Sequence, residues 1–543
     1  MNRMYHIGSI ILLVGITLIA FLSLSDQGKS WDEEFRFKSG GAKLDYYQSL
    51  FGAERLPPPG GSYPALFDLP LAMVDEAFPD FGTISEKGHA WSLVFGLLGI
   101  LSTWRMATLV GGERAGFWAL VFLATFPRYY GHMFFNPKDI PLAGTYALAM
   151  WMLLRVMLQW PKASWGSVAL LGVAGGLAMS TRIAGFLTLC YFGLFVGVLL
   201  SIRYLATLRK SKRLEMSQVG GDLLYWLWRG LFAGCVAFAL LFIFWPTLHH
   251  NPLGGVQGAV ETVQHYGWDG YVLMDGVFYE AKDLPFYYVP YWLFITIPDQ
   301  LLLLGLVMAV LFLFGLLAAA RGDDFSRGLN RRLCCLVVFG FAFPWAYFLY
   351  TQPVLYDGMR HCLFTLPLFA CACALTLEWL LRCLSTHRSP YIKYAVQAAV
   401  AASVLLTVAD LKSLHPYQYT YFNRISGGLN AAYLNRETDY WGLSYREAAE
   451  WLNQYVEAGD AAGDGQYVVH QLHSPWMLEA FLSERFQVSR DPEGADFYVS
   501  FTRFNFHTVY PDLKMLHVVE RQGVPLCFIF EMPEGLAELG RDL

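Results

Sequence analysis

Apolar residues gather along the chain into long runs that are separated by polar segments. Most of the runs are roughly 18 to 22 residues long, which is the length that a helix needs to cross ~30 Å of hydrocarbon. The pattern therefore predicts an all-α polytopic membrane domain with about eleven transmembrane helices. The predicted spans are Ile7–Leu24, His89–Val110, Arg114–Pro127, Ile140–Trp160, Ser164–Met179, Ile183–Ile202, Trp226–Trp245, Pro298–Ala320, Leu333–Tyr350, Cys362–Leu384 and Tyr391–Val408.

The first run has a short basic start and an apolar core, which is also typical of a cleaved signal peptide. We expect an uncleaved first helix instead, because no small-residue cleavage pattern stands out after the run. The acidic residues that follow it also suit a segment that stays tethered near the membrane.

Basic residues of the short loops predict the orientation, because loops rich in Lys and Arg stay on the cytoplasmic side. They cluster in three loops that fall on one side of the predicted bundle. This places the N-terminus in the cytoplasm, and it places the loops Ser25–Lys87 and Thr247–Ile297 and the C-terminal region outside the cell (inner) membrane. The basic residues are Arg203, Arg209, Lys210, Lys212, Arg213, Arg321, Arg327, Arg331, Arg332, Arg382, Arg388 and Lys393.

From Asp410 onward the composition becomes polar, and short apolar stretches alternate with Gly, Asp and Pro. Ser444 and Glu447 have the spacing of a capping box at the start of a helix, and Pro475 predicts the start of another. We therefore divide the chain into a transmembrane domain, residues 1–409, and a small extracytoplasmic α/β domain, residues 410–543. The predicted strands are Tyr467–Val469, Phe497–Phe501, Leu516–Val519 and Leu526–Phe530.

Composition narrows the class further. Hydrophobic residues make up 55% of the chain, charged residues 15%, and the mean hydropathy is +0.37, values that exclude an ordinary soluble domain. The net charge of -5 argues against a nucleic-acid partner, which would need a basic surface. The 9 cysteines do not have metal or disulfide spacings, and the histidine pairs lack zinc spacing, so we assign no metal site.

The first candidate cluster follows the first span directly and contains Asp32, Glu33 and Glu34. A carboxylate held at the membrane surface beside aromatic groups can act as a general base on a hydroxyl. The alternative is structural, since Ser30 and Glu33 also have the spacing of a capping box at a helix start. Both interpretations can hold at once.

The second cluster lies in a short outer turn between the third and fourth spans, where this many polar groups are unusual. It contains His132, Asn136, Lys138 and Asp139, of which Asp139 is the strongest functional candidate. The alternative is an interfacial belt in which Lys138 and Asp139 pair with one another.

Two further outer turns carry cations that could hold a lipid phosphate. Arg182 lies in the tight turn after the fifth predicted span, and Tyr356, Asp357, Arg360 and His361 precede the tenth. A guanidinium group can bind a phosphate through two parallel hydrogen bonds, and His361 could add a donor. The alternative is that these side chains reach toward lipid headgroups.

Taken together, these motifs resemble glycosyltransferase family 39, which includes the dolichyl-phosphate-mannose protein mannosyltransferases and the bacterial aminoarabinose lipid A transferases. The resemblance covers most of the membrane region. It is carried by Asp32-Glu33, by Lys138-Asp139-Ile140-Pro141-Leu142, by Thr181-Arg182, and by Arg360-His361 ahead of a Leu-Pro segment.

The resemblance implies the GT-C membrane fold and the transfer of a sugar from a polyprenyl monophosphate, usually with inversion. It implies that Asp32 deprotonates the acceptor hydroxyl, with Glu33 beside it and Asp139 as a second acid. Arg182, where many relatives have Lys, would hold the leaving phosphate. Arg360 and His361 would share that role.

Phosphate is already a good leaving group, so one base and a cationic cradle suffice for this chemistry, unlike glycoside hydrolysis with its two flanking carboxylates. The resemblance implies no cofactor. A divalent metal, which some distant GT-C enzymes use, is compatible with the acids but not indicated by them. The implied partners are the lipid-linked donor, membrane lipids, and an acceptor protein, lipid or glycan.

Aromatic residues of the outer loop Thr247–Ile297 could form a lid over the acceptor or an interfacial belt. They include Tyr266, Trp268, Tyr271 and Tyr279. Two other functions compete with a glycosyltransferase. A transporter or flippase should carry ionisable residues near the midplane and repeated halves, whereas this chain gathers its charges at one face. A scaffold would merely present the C-terminal domain.

Overall fold

The computed structural model describes residues 2–61, 63–211, 213–264, 266–320, 329–385, 390–459 and 465–533. Its helices before the long outer loop are α1 Asn2–Leu22, α2 Trp31–Ser49, α3 Asp68–Ala77, α4 Ile84–Gly111, α5 Glu113–Ala124, α6 Pro127–Phe135, α7 Asp139–Leu158, α8 Trp165–Met179, α9 Leu187–Ser211 and α10 Met216–Phe244. The remaining helices are α11 Thr247–His250, α12 Pro252–Gln264, α13 Tyr288–Thr296, α14 Asp299–Ala320, α15 Leu329–Thr351, α16 Leu366–Ser385, α17 Pro390–Ser413, α18 Gly428–Ala432, α19 Tyr445–Gly459 and α20 Trp476–Glu479.

The described residues also form seven strands. They are β1 Tyr271–Met274, β2 Val277–Glu280, β3 Tyr467–His470, β4 Phe486–Ser489, β5 Phe497–Phe501, β6 Lys514–Arg521 and β7 Val524–Glu531. β1 and β2 form an antiparallel hairpin within the loop that follows α10. The other five form one mixed sheet in the order β4-β3-β5-β7-β6, in which β3 pairs parallel with β4 and β5.

Each of the eleven predicted spans lies on a helix. Within the described residues, eight helices are long and apolar enough to cross a membrane, and Trp165–Met179 and Asp299–Leu313 are shorter apolar helices. The remaining run corresponds to α5, whose twelve residues extend only about 18 Å, less than the hydrocarbon thickness. α5 is buried between α1, α4 and α16, so its apolar residues pack against protein. The structure thus confirms a helical membrane bundle with a small C-terminal sheet domain.

The structure extends the predicted elements in two places. α17 ends at Ser413, five residues beyond the predicted span. Its last turn is polar, so hydropathy alone does not reveal it. The sequence analysis predicted neither β4 nor the β1-β2 hairpin, since burial does not alternate from residue to residue along these short strands. Of the basic loop residues, Lys212, Arg321, Arg327 and Arg388 lie outside the described residues.

The segment between α17 and α19 fixes the C-terminal domain to the membrane bundle. Its side chains Tyr417, Tyr419, Phe422, Tyr440 and Trp441 are buried in the core that they share with the membrane helices. Gly131 of α6 approaches the backbone of Tyr419 so closely that an added Cβ would lie 2.5 Å from its nitrogen. The domain interface is therefore packed as tightly as a protein interior.

Candidate active site

The start of α2 is held by the capping box that the sequence predicts. The Glu33 carboxylate accepts hydrogen bonds from the backbone and hydroxyl of Ser30 at 3.3 and 3.1 Å, and it lies 3.1 Å from His89 Nε2. The Ser30 hydroxyl also donates to the carbonyl of Phe135, at the end of α6. Glu33 therefore anchors the first turn of α2 next to the segment that carries Asn136.

Asp32 occupies the same helical turn but meets two cations from remote parts of the chain. Lys138 Nζ lies 2.8 Å from one carboxylate oxygen, and Arg360 Nη2 lies 2.9 Å from the other. Burial alone would raise the pKa of Asp32, but the charges of Lys138 and Arg360 outweigh burial and hold the pKa well below its ordinary value. Asp32 is therefore ionised throughout the physiological range.

Asp139 is the first residue of α7 and is oriented by the turn before it. The side-chain oxygen of Asn136 accepts from the backbone N–H of Asp139 at 2.8 Å, and its amide donates to the Asp139 carboxylate at 3.1 Å. Arg182 pairs with the other carboxylate oxygen of Asp139. Arg360 Nε lies 3.4 Å from the oxygen that accepts from Asn136. Lys138 and Asp139 thus take separate partners instead of pairing with one another.

Arg360 lies at the centre of the cluster. Besides Asp32 and Asp139 it contacts Asp357 at 2.6 Å, so one guanidinium group joins three carboxylates, and its side chain is only 1% exposed. The rings of Tyr356 and Trp441 lie 5.0 and 4.9 Å from it. The guanidinium donors of Arg360 are therefore turned to these three acids, and Arg360 holds the carboxylates together.

Solvent reaches the cluster at Asp32, Lys138 and Arg182. The Lys138 side chain is 13% exposed, that of Asp32 13%, and that of Arg182 21%. Both Lys138 and Arg182 lie within 6 Å of the Tyr63 ring, a residue that the sequence did not single out. Arg182 lowers the pKa of the Tyr63 hydroxyl. This opening, lined by Asp32, Lys138, Arg182 and Tyr63, is called the cationic mouth below.

His132 contacts two side chains, of which Asn136 in turn contacts Asp139. Its ring lies 2.9 Å from the Tyr440 hydroxyl and 3.2 Å from the Asn136 amide. Burial lowers the pKa of His132 to about 3, so the ring is neutral; its Nδ1 accepts from the Asn136 amide, and its Nε2 can donate to the Tyr440 hydroxyl oxygen. The structure therefore places both His132 and Asn136 behind Asp139, as groups that orient it.

Tyr356 and His361 face the outer loop. Their rings are 4.9 Å apart at 80°, and the Tyr356 ring lies 4.4 Å from that of Trp268. The hydroxyls of Tyr356 and Tyr266 are 3.2 Å apart. Of the four predicted lid aromatics, Tyr266 and Trp268 therefore lie against the site.

Sequence reasoning missed Arg503 and Glu437, which the C-terminal domain contributes. Arg503 Nη1 forms an ion pair with Asp357 at 2.7 Å, and Arg503 Nη2 lies 4.0 Å from Glu437. Burial raises the pKa of Glu437 to about 8, although the charge of Arg503 opposes this. Arg503 follows the fully buried strand β5 by two residues, which was the available sequence signal.

An apolar groove of about 820 Å³ runs between α9 and α10. It begins at Phe186, four residues beyond Arg182, and continues to Leu200 on α9 and Gly220 on α10. Gly193, Gly197 and Gly234 line it with open space where a Cβ would project. The groove therefore extends along the membrane helices from near the cationic mouth.

A second cleft, of about 500 Å³, lies between the β1-β2 hairpin and the loop after β5. Its walls are Gly270, Tyr271, Phe278, Phe504 and Phe506. Phe504 and the following Asn505 both have positive φ, near 57°, a conformation that a phenylalanine rarely adopts. This aromatic cleft lies on the same loop as Arg503.

Among the described residues, no group of three or more His, Cys, Asp or Glu could hold a metal ion.

The fold and the site define a polytopic membrane protein with buried carboxylates and partly exposed cations at one end of its helical bundle. A family model described as dolichyl-phosphate-mannose-protein mannosyltransferase matches residues 81–214, the part that carries Asp139 and Arg182. This match confirms that the chain resembles that family. No curated protein sequence matches the chain significantly.

Solved structures that are similar to the chain include the following three. ArnT from Cupriavidus metallidurans bound to undecaprenyl phosphate is 15% identical, with a TM-score of 0.46 over 98% of this chain and 99% of that chain. The oligosaccharyltransferase AglB from Archaeoglobus fulgidus, in complex with an inhibitory peptide and a dolichol-phosphate, is 12% identical, with 0.47 over 91% and 69%. The S. cerevisiae protein O-mannosyltransferase complex bound to the sugar donor is 16% identical, with 0.33 over 46% and 34%.

Proposed function

We propose that this protein is a glycosyltransferase that moves a sugar from a polyprenyl-monophosphate donor to an acceptor hydroxyl at the outer face of the cell membrane. The observation that carries the proposal is the cationic mouth, where an ionised carboxylate, Asp32, lies beside the partly exposed cations Lys138 and Arg182. In this orientation the N-terminus is cytoplasmic and the C-terminal domain extracytoplasmic. The acceptor is a hydroxyl of a protein, a lipid or a glycan.

The donor phosphate binds between Lys138 and Arg182, the two cations that solvent reaches. The polyprenyl chain enters the groove between α9 and α10, whose apolar lining starts close to Arg182. A long flexible hydrocarbon matches a groove of this composition, because every isoprenoid unit that it buries contributes favourable transfer free energy. Arg360 and His361 then support this site from behind rather than holding the phosphate directly.

Asp32 is the base in this mechanism. It takes the proton from the acceptor hydroxyl while the hydroxyl oxygen forms a bond to the anomeric carbon of the sugar. The bond from that carbon to the phosphate oxygen breaks, and its electron pair stays on the oxygen. The attack comes from the face opposite the phosphate, so the configuration inverts. Lys138 and Arg182 stabilise the second negative charge that develops on the phosphate.

Asp32 is a weak base while Lys138 and Arg360 neutralise it, and donor binding relieves this. The phosphate brings a negative charge to Lys138 and Arg182, so part of their field is directed to the donor. The proton affinity of Asp32 rises as a result. The base thus becomes effective when a donor is present. Asp139 keeps Arg182 and Arg360 oriented and stays the second candidate acid.

The test uses purified protein with a panel of polyprenyl-phosphate sugars, following release of polyprenyl phosphate. We expect turnover of at least one donor, and we expect Asp32→Asn to abolish it. Asp45→Asn, an exposed carboxyl of the same helix, serves as the matched control and should retain activity. Equal turnover in Asp32→Asn would remove Asp32 as base. Uptake of a solute into proteoliposomes without donor consumption would favour a transporter instead.

A further inference from the structure

We propose that Arg503, from the C-terminal domain, is a positioning residue for the transfer reaction, because it holds Asp357 and thereby sets the contact between Arg360 and Asp32. The proposal rests on the function proposed above. It gives the C-terminal domain a part in the chemistry of the membrane bundle.

A continuous series of short contacts connects Arg503 to the base. Arg503 Nη1 lies 2.7 Å from Asp357 Oδ1, and Arg360 Nη1 lies 2.6 Å from Asp357 Oδ2. The same Arg360 reaches Asp32 Oδ2 at 2.9 Å through Nη2. The side chains of Arg503, Asp357 and Arg360 are all 0 to 1% exposed, so water screens none of these charges.

A second contact reaches the base from the other direction. The Arg503 guanidinium lies 4.2 Å from the centre of the Trp31 ring, and Trp31 is the residue directly before Asp32 in α2. Arg503 therefore packs against the helical turn that carries Asp32 and also orders the arginine that pairs with it. A guanidinium group suits both tasks, since it can pair with a carboxylate and stack on an aromatic face.

The backbone around Arg503 fixes its position. Its guanidinium donates to the carbonyl of Tyr440, and the hydroxyls of Thr438 and Thr502 are 2.9 Å apart, which ties the loop to the preceding segment. The two left-handed residues that follow, Phe504 and Asn505, turn the chain sharply away into the aromatic cleft. Strained backbone of this kind persists where its surroundings hold it in place.

Removal of the Arg503 charge should displace the base without emptying the site. Asp357 would keep its contacts with Arg360 and with the Trp441 ring N–H at 3.1 Å. Arg360 would then be drawn toward the unbalanced charge of Asp357 and away from Asp32. Asp32, held by Lys138 alone, would shift out of the position in which it meets the acceptor hydroxyl. A displacement on the order of 1 Å at a reacting group costs about 100-fold in rate.

The experiment compares Arg503→Met, Arg503→Lys and the double variant Asp357→Asn with Arg503→Met. We expect Arg503→Met to lower kcat by about 100-fold, with little change in the KM for the donor, because Lys138 and Arg182 are untouched. Arg503→Lys should retain part of the rate. The double variant should recover part of it too, because the unbalanced charge is gone. A double variant that is no faster than Arg503→Met would overturn the proposal.

Arg521→Met is the matched control, since Arg521 belongs to the same domain and pairs with Glu447 at 2.6 Å. Its kcat should stay within about twofold of wild type, whereas a loss as large as that of Arg503→Met would show a general effect of domain docking.

An experimental structure of Arg503→Met supplies the readout that does not depend on activity. The proposal predicts that the contact between Arg360 and Asp32 opens, and an unchanged contact overturns it. If wild-type protein turns over no lipid-linked sugar, the proposed function fails, while this structure still decides whether Arg503 sets the contact.

Discussion

Two buried clusters of acids and cations lie at opposite ends of one helical segment. At the far end of α16, Glu378 accepts from Arg114 at 2.6 and 3.1 Å and from Arg382 at 2.6 Å. At the other end, eighteen residues earlier, Arg360 joins Asp32, Asp139 and Asp357. The segment between them is a 3-10 helix, Arg360–Thr365, followed by α16 as far as Glu378, and together they extend about 30 Å, close to the thickness of the hydrocarbon core. The two clusters therefore lie about one membrane thickness apart along the bundle.

The clusters differ in where their members come from. Glu378 takes one partner from its own helix, four residues on, and one from the start of α5, and the Arg382 side chain is 62% exposed. Such a cluster closes two helix ends. The Arg360 cluster draws its members from α2, from the turn before α7, from the turn after α8 and from the C-terminal domain. Burying so many charges from remote segments costs desolvation free energy, which is a mark of a functional site.

The strongest test of this difference substitutes one acid in each cluster. Asp139→Asn removes the charge that holds Arg182 and Arg360, so we expect kcat for sugar transfer to fall by about 100-fold. Glu378→Gln is the matched substitution at the other end, and it should leave kcat within about twofold while lowering the unfolding temperature. Equal losses of kcat in both variants would mean that the clusters share a structural role.

The sequence predicted the helical elements better than their contacts. Each of the eleven apolar runs lies on a helix, and eight described helices are long and apolar enough to cross a membrane, because a membrane demands long hydrophobic segments whatever the fold. The polar turns located Asp32, Asp139, Arg182 and Arg360, since charges at the ends of apolar runs are visible locally.

The sequence could not predict the partners of these residues. Lys138 lies directly beside Asp139 in sequence, yet it pairs with Asp32, 106 residues away. Arg503 follows the buried strand β5, but its position there does not show that it contacts Asp357 of the membrane bundle. Pairings of this kind depend on how the helices pack, which a single sequence does not record.

A second comparison substitutes the cations of the two clusters. Arg182→Met should raise the KM for the lipid-linked donor by about tenfold or more, because a partly exposed phosphate ligand is lost. Arg114→Met makes the same change beside Glu378 and should leave KM unaltered, with reduced thermal stability as its only effect. Steady-state kinetics at varied donor concentration separates the outcomes. An unchanged KM in Arg182→Met would place the phosphate elsewhere.

The pH dependence sharpens the assignment of Asp32. Asp32 must be ionised to act as a base, and its lowered pKa keeps it ionised as the pH falls toward 4. The acid limb of kcat/KM should therefore lie below the usual range of a carboxyl group. Lys138→Met removes one of the cations that lower this pKa, so the acid limb should move upward by about one pH unit.

Lys38→Met is the control for this titration. Lys38 lies on α2, the helix that carries Asp32, but it pairs with the half-buried Glu34 at the surface. It should leave the acid limb where it is in wild type. An acid limb that stays fixed in Lys138→Met would show that Asp32 is not the group that titrates in the rate.

The smallest predicted effect concerns the apolar groove between α9 and α10, for which the Glu378 cluster has no counterpart. Gly197→Leu places a side chain into open space that the polyprenyl chain would fill. Loss of about 40 Å² of apolar burial corresponds to about 1 kcal/mol, so the KM for a long-chain donor should rise about fivefold. The KM for a short-chain donor whose hydrocarbon does not reach Gly197 should be unaffected. Gly15→Leu, at an equally open position on α1, should alter neither KM, and a matching rise there would trace the effect to the membrane environment instead of the groove.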